Sequence, residues 1–536
     1  MGLICLFAVL APAATVKETQ AFLRDHRHAW LPYPFPSETA TTELSRLLHY
    51  DFDTIDLSFA GSYHGGHIDF SALDAAVRLI GGKGKRVVLT LTPRFDATDG
   101  VFDRLSDGSV ITNVPYKNPN ASMIDIFDPQ QRGKYGDYVA SCIRHYQNDP
   151  HMAGYILGWG YMGETGLFIG DYLENFNLIG SVASGYSEHA LEEFNRWRAG
   201  LGLPALGQLP MPSVAGNSAD YILFHRFRCE FVGGVFQKEA VARAQALTPK
   251  PVGTWGYLSV NAGNYGRNWA LTPNADFLRS AVSAASFDLR RTLLDSAMGY
   301  EDHELSDGPW RYTTACVECA LARQIAHGGF IHAMPIRDYD KPPWETNFFP
   351  RIADFVVNQK QLAAQVRATP PDVALFQPTW SFAALPVRGA NNLFVPRTDA
   401  QNRCEKMIGL AESFGLPYQL ITERDLLQPR SLRKFRHILI PLWDLMPEIL
   451  DKKIYTKWAS DARLVPIPSG NKMMTRSEFR DLLRARDIPM KLDFDSDRIL
   501  AGRVNNLIFN WNDQPTRVSV GDKSYSLQPM EYRFLP

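Results

Sequence analysis

An excess of charge of either sign is missing from this sequence: 56 basic and 57 acidic side chains leave a net charge of −1. Without a positive surplus, neither nucleic-acid binding nor attachment to an acidic membrane surface has the electrostatics it needs. Cysteine is scarce, six in 536 residues, too thin for a disulfide scaffold. Cys316 and Cys319 form the only C-x-x-C pair. No second Cys or His pair follows at zinc-ligand spacing, so both are read as packed thiols. No apolar run reaches the ~18 residues of a membrane span. Internal repeats and low-complexity tracts are absent as well.

What is there is the composition of a folded chain, 45% hydrophobic and 21% charged. Trp 11, Tyr 21 and Phe 31 is a mix that sugar-binding clefts use, and a large core with aromatic anchors uses it too. The apolar stretch LICLFAVL, followed by Ala11-Pro12-Ala13, has the shape of a signal peptide, although no Lys or Arg precedes it. Residues 1–20 are read on this basis as a signal peptide and the protein as secreted or periplasmic, with the cytoplasm as the alternative.

From about residue 25 to 365, strand-like runs alternate with helical patterns, which favours βα units and a parallel sheet. In IDFSALDAAVRLIGGKGKRVVLTLTPR, Asp69 or Ser71 can cap a helix with Leu73, Ala76, Val77 and Ile80 on one face. Gly82 and Gly84 stop it, and Val87–Leu91 follows as a buried strand. GYILGWGYMGETG reads as a strand over Tyr155–Trp159 running into a Gly-rich loop with Glu164. Ser187 caps a helix with Ala190, Leu191, Phe194 and Trp197 on one stripe. Further strands are read at Pro251–Tyr257, before Glu304, and at Phe330–Pro335. Residues 21–368 are therefore expected to form a (β/α)8 TIM barrel with insertions.

After Ala368 the pattern restarts: strands at DVALFQP, RHILIPL and ARLVPIP, and a strand with a turn at LPYQLITERDL, alternate with helices. Residues 369–496 are read as a three-layer α/β domain of flavodoxin or glutaminase type. No G-x-G-x-x-G follows Leu375-Phe376, and Cys404 lies in a helical pattern rather than on a strand-to-helix turn, so a structural or oligomerising role is preferred there. Residues 497–536 alternate apolar and polar residues around Asn512-Asp513 and Gly521-Asp522, a small antiparallel β domain.

In a parallel barrel, reactive groups collect at the carboxyl ends of strands. Glu164 and Glu304 both fall at such places, and two carboxylates across a cleft are the minimal equipment for glycoside hydrolysis. A loop glutamate taken alone is as well explained as a solvated charge. Trp159, Tyr161, Trp255, Tyr257, Trp310 and Trp344 stand near predicted strand ends as candidates for stacking on sugar rings, with core packing as the alternative for each. Arg337 follows the last strand and could bind a hydroxyl or an anionic group, or simply form a surface ion pair. His64, His67 and His303 lack metal-ligand spacing. No metal or cofactor is called for.

Taken in order, these segments resemble glycoside hydrolase family 42, the β-galactosidase-type branch of the barrel superfamily with two catalytic glutamates. The IDFSALDAAVRLIGGKGKRVVLTLTP stretch, GWGYMGETG, YSEHALEEFNRWRAGLG and ARQIAHGGFIHAMPIRD each resemble a segment of that family. RDLLQPRSLRKFRHILIPLWDL resembles its trimerisation domain, and the tail its last β domain. The resemblance covers nearly the whole chain. It implies Glu164 as acid/base, a carbohydrate substrate and a homo-oligomer, specifically a trimer. Two departures stand out. The family's Asn before the acid/base is Gly163 here, which removes a group that holds the sugar 2-hydroxyl in relatives. Near the nucleophile both Glu301 and Glu304 are available, at a spacing that sends them to opposite faces of a strand; Glu304 is preferred because ELSD resembles an E-x-D sequence of some relatives.

The resulting expectation is a retaining, exo-acting hydrolase of β-galactosides or a modified sugar. Glu304 would attack the anomeric carbon and Glu164 donate to the leaving oxygen, the carboxyls ~5–5.5 Å apart. Trp159 and the neighbouring carboxylate would raise the Glu164 pKa by desolvation and like-charge repulsion. Alternatives are a carbohydrate-binding barrel without catalysis, and an endo-acting polysaccharide hydrolase or transglycosylase.

Overall fold

The computed structural model describes Glu18, Ala21 and residues 27–95, 103–108, 112–113, 118–122, 124–159, 169–170, 182–183, 185–211, 218–255, 274–281, 298–301, 314–333, 348–377, 398–446, 452–467, 474–494 and 501–536. The apolar stretch read as a signal peptide lies outside the described residues. Eight parallel strands close a barrel: β1 (His28–Phe35), β2 (Thr54–Phe59), β3 (Arg86–Leu91), β4 (Met152–Leu157), β5 (Val252–Trp255), β6 (Phe277–Ala281), β7 (Met298–Glu301) and β8 (Phe330–Ala333). Each pairs with the next, and β8 returns to β1. Outside run α1 (Glu38–Leu47), α2 (Ser71–Gly82), α3 (Pro129–Tyr146), α4 (Glu188–Gly200), α5 (Ala219–Phe231), α6 (Lys238–Gln245), α7 (Thr314–Ala326) and α8 (Phe348–Ala363).

Alternation of side chains gives each barrel strand two rows. Ala29, Leu31, Ile55, Leu57, Val87, Leu89, Tyr155 and Leu157 face the helices and join the main core. Trp30, Val88, Ile156, Trp255 and Phe277 form a separate buried cluster that fills the lumen. On α2 the predicted stripe of Leu73, Ala76, Val77 and Ile80 is buried. Asp69 Oδ1 accepts from the Ser71 amide at 2.9 Å at its start, and Gly84, at φ +71°, supplies the left-handed residue past its end. Ser187 caps α4 as read, its Oγ accepting from the Ala190 amide at 3.0 Å. Among the described residues no helix is long and apolar enough to cross a membrane. Cys319 is buried, as expected of a packing thiol.

A second, four-stranded parallel sheet contains β9 (Val373–Phe376), β10 (Tyr418–Ile421), β11 (His437–Pro441) and β12 (Leu464–Ile467) in the order β10-β9-β11-β12, the strand order of flavodoxin-type sheets. One face (Val373, Leu375, Leu420, Leu439, Val465) packs into the main core. The other (Ala374, Phe376, Ile421, Ile438, Ile440) is closed by Leu426, Phe435, Met446 and Trp458. The helix α9 (Thr398–Ser413) follows β9. The stretch read as a strand with a turn continues instead into a short helix, Glu423–Leu427. A capping box starts that helix: Asp425 Oδ2 accepts from the Thr422 amide at 2.8 Å.

The last residues form two three-stranded antiparallel sheets. Asp493–Phe494 pairs with Thr516–Val520 and Lys523–Leu527, and Ala501–Val504 with Leu507–Asn510 and Tyr532–Phe534. Gly521-Asp522 turns one hairpin as read. Asn512-Asp513 instead links the two sheets, and the other hairpin turns at Asn505-Asn506, with Asn505 at φ +53°. Asn505 Nδ2 donates to Ala326 O at 2.6 Å and Asn506 Nδ2 to Gln365 O at 3.0 Å, tying this module to α7 and to the chain after α8. Beside this junction Glu412 of α9 is buried. Arg323 of α7 donates to it twice, at 2.8 and 2.9 Å, Tyr418 Oη donates at 3.0 Å, and His327 Nε2 lies at 3.2 Å. Burial alone would push this carboxyl up, but Arg323 and His327 outweigh it and hold the pKa at about 2.

Candidate active site

The barrel lumen buries polar groups among its aromatic rings. Thr54, Asp56 and Ser58 of β2 and Thr90 of β3 are all buried. Thr90 Oγ1 donates to Asp56 Oδ1 at 2.7 Å, and Trp30 Nε1 to Ser58 Oγ at 3.0 Å. Trp30 meets Trp255 edge to face, with centroids 5.7 Å apart. Glycine is required at 253: a Cβ there would lie 2.6 Å from the Phe277 ring. The lumen is thus a packed, hydrogen-bonded floor beneath the ring of strand ends where barrel chemistry takes place.

Register decides which residues stand over that floor. Glu301 ends β7 opposite Ala281 of β6. Two positions back, Arg279 is opposite Trp255, a member of the lumen row. Alternation therefore puts Glu301 on the lumen row. Tyr300, opposite Ile331 of the main core, belongs to the other row. The register thus places position 301 at the end of β7 beside Ala281, while Glu304 lies outside the described residues.

At β4 the strand is shorter than read and ends at Leu157. Trp159 follows it and is 4% exposed, packed edge-on to Phe236 at 5.2 Å. This corrects its assignment as a sugar-stacking platform: the alternation that sends Ile156 into the lumen sends Leu157 and Trp159 to the helix layer. Its indole Nε1 is buried and has no hydrogen-bond partner among the described residues. Trp255, 6% exposed, is in the lumen but packed against Trp30 rather than presenting an open face.

The end of β4 is braced from behind. Tyr135 of α3 is fully buried, and its hydroxyl donates to Gly158 O at 3.1 Å. Its ring lies 4.9 Å from Phe236. Phe236 and Gln237 belong to a turn of π-helix, Val232–Gln237, inserted between α5 and α6.

Insertions after β2 and β3 build a small sheet from Ser62–Tyr63, Arg94–Phe95, Thr112–Asn113 and Asn118–Ser122. Two buried aspartates join them to the segment entering α4. Asp103 Oδ1 accepts from the Gly185 amide at 2.7 Å. Asp125 accepts from the Phe127 amide at 3.0 Å and lies 3.3 Å from His189 Nδ1, and burial pushes its carboxyl above the usual range. Both escaped the sequence reading; the signal for Asp125 is a carboxylate wedged between Ile124 and Ile126, which implies burial with a partner. His64 and His67 face each other across an exposed tight turn. Among the described residues no group of three His, Cys, Asp or Glu could hold a metal ion. Tyr161, Glu164, Tyr257, His303, Glu304, Trp310, Arg337 and Trp344 lie outside the described residues.

The described residues thus combine a closed eight-stranded barrel, a second parallel sheet and an antiparallel tail. No protein-family model and no curated protein matches the sequence. Solved structures do. A beta-galactosidase from the psychrophilic Marinomonas ef1 is similar with a TM-score of 0.61 over 94% of this chain and 98% of that one, at 10% identity. A catalytic mutant of Gan42B, a GH42 beta-galactosidase from G. stearothermophilus, is similar with a TM-score of 0.57 over 92% and 94%, at 12% identity. The beta-galactosidase from Bacillus circulans sp. alkalophilus is similar with a TM-score of 0.57 over 95% and 99%, at 9% identity. The chain therefore has the fold of GH42 beta-galactosidases over most of its length, as the motif order implied.

Proposed function

We propose that this protein is a glycoside hydrolase that cleaves β-galactosides or a modified relative, acting from the chain end with retention of configuration, and working as a homo-oligomer, a trimer by resemblance. The observation that carries the reading is the closed eight-stranded barrel with the fold of GH42 beta-galactosidases, in which β7 ends at Glu301 and β4 runs on in sequence to Glu164. Two carboxylates reaching one mouth from strands far apart in the chain can flank a glycosidic bond, one protonating the departing oxygen and one attacking the anomeric carbon. Glu164 is the acid/base in this reading. For the nucleophile Glu304 is preferred by motif likeness, with Glu301, whose backbone ends β7, as the alternative. Gly163 leaves the 2-hydroxyl without the family's asparagine, which favours substrates recognised differently at that position.

The test is kinetic. In a panel of aryl glycosides with anomeric products followed by NMR, Glu164→Gln and Glu304→Gln should each lower kcat by about 10²–10⁴-fold. Loss of turnover in Glu301→Gln with Glu304→Gln active would move the nucleophile to Glu301. A wild-type protein that is stabilised by a sugar but turns over nothing in the panel would replace the hydrolase with a carbohydrate-binding barrel.

A further inference from the structure

The outer face of α8 carries side-chain amides where an exposed helix gains more from pairs of opposite charge. Ile352, Ala353 and Val356 turn inward to the core, and Gln359 ties the helix to β8 through two bonds with the Ile331 backbone, at 2.8 and 2.9 Å. Outward, Arg351, Asp354, Asn358, Gln361 and Gln365 recur every three or four residues, the last just past the helix end. They form one wall of a groove of about 370 Å³, which Glu318 of α7 and Tyr532 of the tail close on the other side. Small-molecule sites span ~300–1,000 Å³. From Arg351 to Leu362, both on its lining, the groove follows the helix for ~16 Å, so it suits an elongated ligand.

The lining chemistry selects the ligand. Arg351 is the one cation on the wall, and it is committed, donating to Glu318 at 2.9 Å and to Thr314 Oγ1 at 2.6 Å. An anion would therefore meet Asp354 with no unpaired positive charge to hold it. The Asp354 carboxylate and the Gln361 amide make no hydrogen bond or ion pair among the described residues. Asn358 gives one N–H to Asp354 O at 2.8 Å, which leaves its amide oxygen open as an acceptor. Tyr532 packs edge to face on the buried Phe355, centroids 6.5 Å apart. Burial, then the Glu318 charge, raises the pKa of its hydroxyl, which stays a donor. Amides, one carboxylate and a phenol beside an aromatic wall match the hydroxyls and ring carbons of a neutral sugar. We propose that this groove is a carbohydrate-binding site apart from the barrel mouth, holding a short neutral oligosaccharide by Tyr532, Asp354, Asn358 and Gln361. Because α7 and α8 follow β7 and β8, both helices start on the side where the strand ends open. The groove begins there, in the first turn of α8, and leads along the barrel flank to the tail. It goes beyond the hydrolase reading and does not depend on it, since no bond is cleaved in the groove.

The test is binding to the full-length protein, read by calorimetry and amide hydrogen exchange. The probes are thio-linked β-galacto-, β-gluco- and β-manno-oligosaccharides, which a glycosidase does not cut. At least one should bind and slow exchange over residues 351–365 and 531–534. Asn358 and Gln361 are exposed, so the double variant Asn358→Ala/Gln361→Ala keeps the fold, as a thermal melt would verify. It should weaken that binding about 5–100-fold and abolish the protection. Tyr532→Phe, which removes only the hydroxyl, should weaken it about 2–10-fold. Oligogalacturonides, whose carboxylates would meet Asp354, should bind at least about tenfold more weakly than the neutral sugars. No protection of these residues by any probe, or protection unchanged in the double variant, would overturn the site. Protection that grows with protein concentration in the absence of sugar would overturn it too, making the groove a contact between copies of the chain. Wild-type protein that hydrolyses no glycoside yet binds sugar here would overturn the hydrolase reading and leave the groove standing.

Discussion

Both parallel sheets of this molecule bury their strands on two faces, and they fill those faces differently. In the four-stranded sheet β9 to β12, the buried strand residues on both sides are aliphatic or aromatic. In the barrel, the outward row is equally apolar, but the lumen row mixes Trp30, Val88 and Trp255 with Thr54, Asp56, Ser58 and Thr90. Burying a hydroxyl or carboxylate is unfavourable unless it is hydrogen-bonded; Thr90 bonds Asp56 and Trp30 bonds Ser58, while the Thr54 hydroxyl is buried without a partner among the described residues. A sheet that only supports has no reason to carry such groups. Under the proposed hydrolase function, the contrast assigns the chemistry to the barrel and support to the second sheet.

The comparison can be broken most forcefully from the supporting side. Leu439→Ala, fully buried on β11, should cost about 2–5 kcal/mol in denaturant unfolding, with activity per folded molecule unchanged. A drop in activity at full folding would show that the second sheet does more than support. Glu412 sharpens the contrast in another way, since it is a buried charge far from the lumen. Its pKa, held to about 2 in the fold, lies below that of an unfolded glutamate, ~4.3. The stabilisation, on the order of 3 kcal/mol, is fully present above pH ~4.3 and lost as pH falls toward 2. Glu412→Gln should flatten the stability curve in that acid window, as read by thermal melts from pH 5 to 2. Smallest is Thr90→Val, which takes one donor from Asp56 and should cost about 1–3 kcal/mol. Unlike Leu439→Ala, it should lower kcat in the correctly folded fraction, because it loosens the floor beneath the strand ends.

Much of this was legible in the chain. The helix Ser71–Gly82 declared itself through a four-residue apolar stripe and a glycine stop, and α4 through its serine cap. Such signals are local: periodicity and capping act within a few residues. Trp159 was misplaced for the complementary reason. A tryptophan at a strand end reads the same whether it faces a cleft or a helix, and only the register fixed through Ile156 and Phe236 separates the two. The capping box at Thr422 was written in the sequence and passed over as a turn. Nothing local announced the π-turn, whose Phe236 packs on a tyrosine of another helix.

The sequence by itself determined the succession of strands and helices and the place where the barrel pattern stops and a second one begins. These follow from side-chain periodicity, which each segment carries alone. Tertiary structure decided which indole is buried behind a strand and which buried carboxylates act as ties. Those outcomes depend on pairing between strands and packing between layers, and a one-residue change of register reverses them.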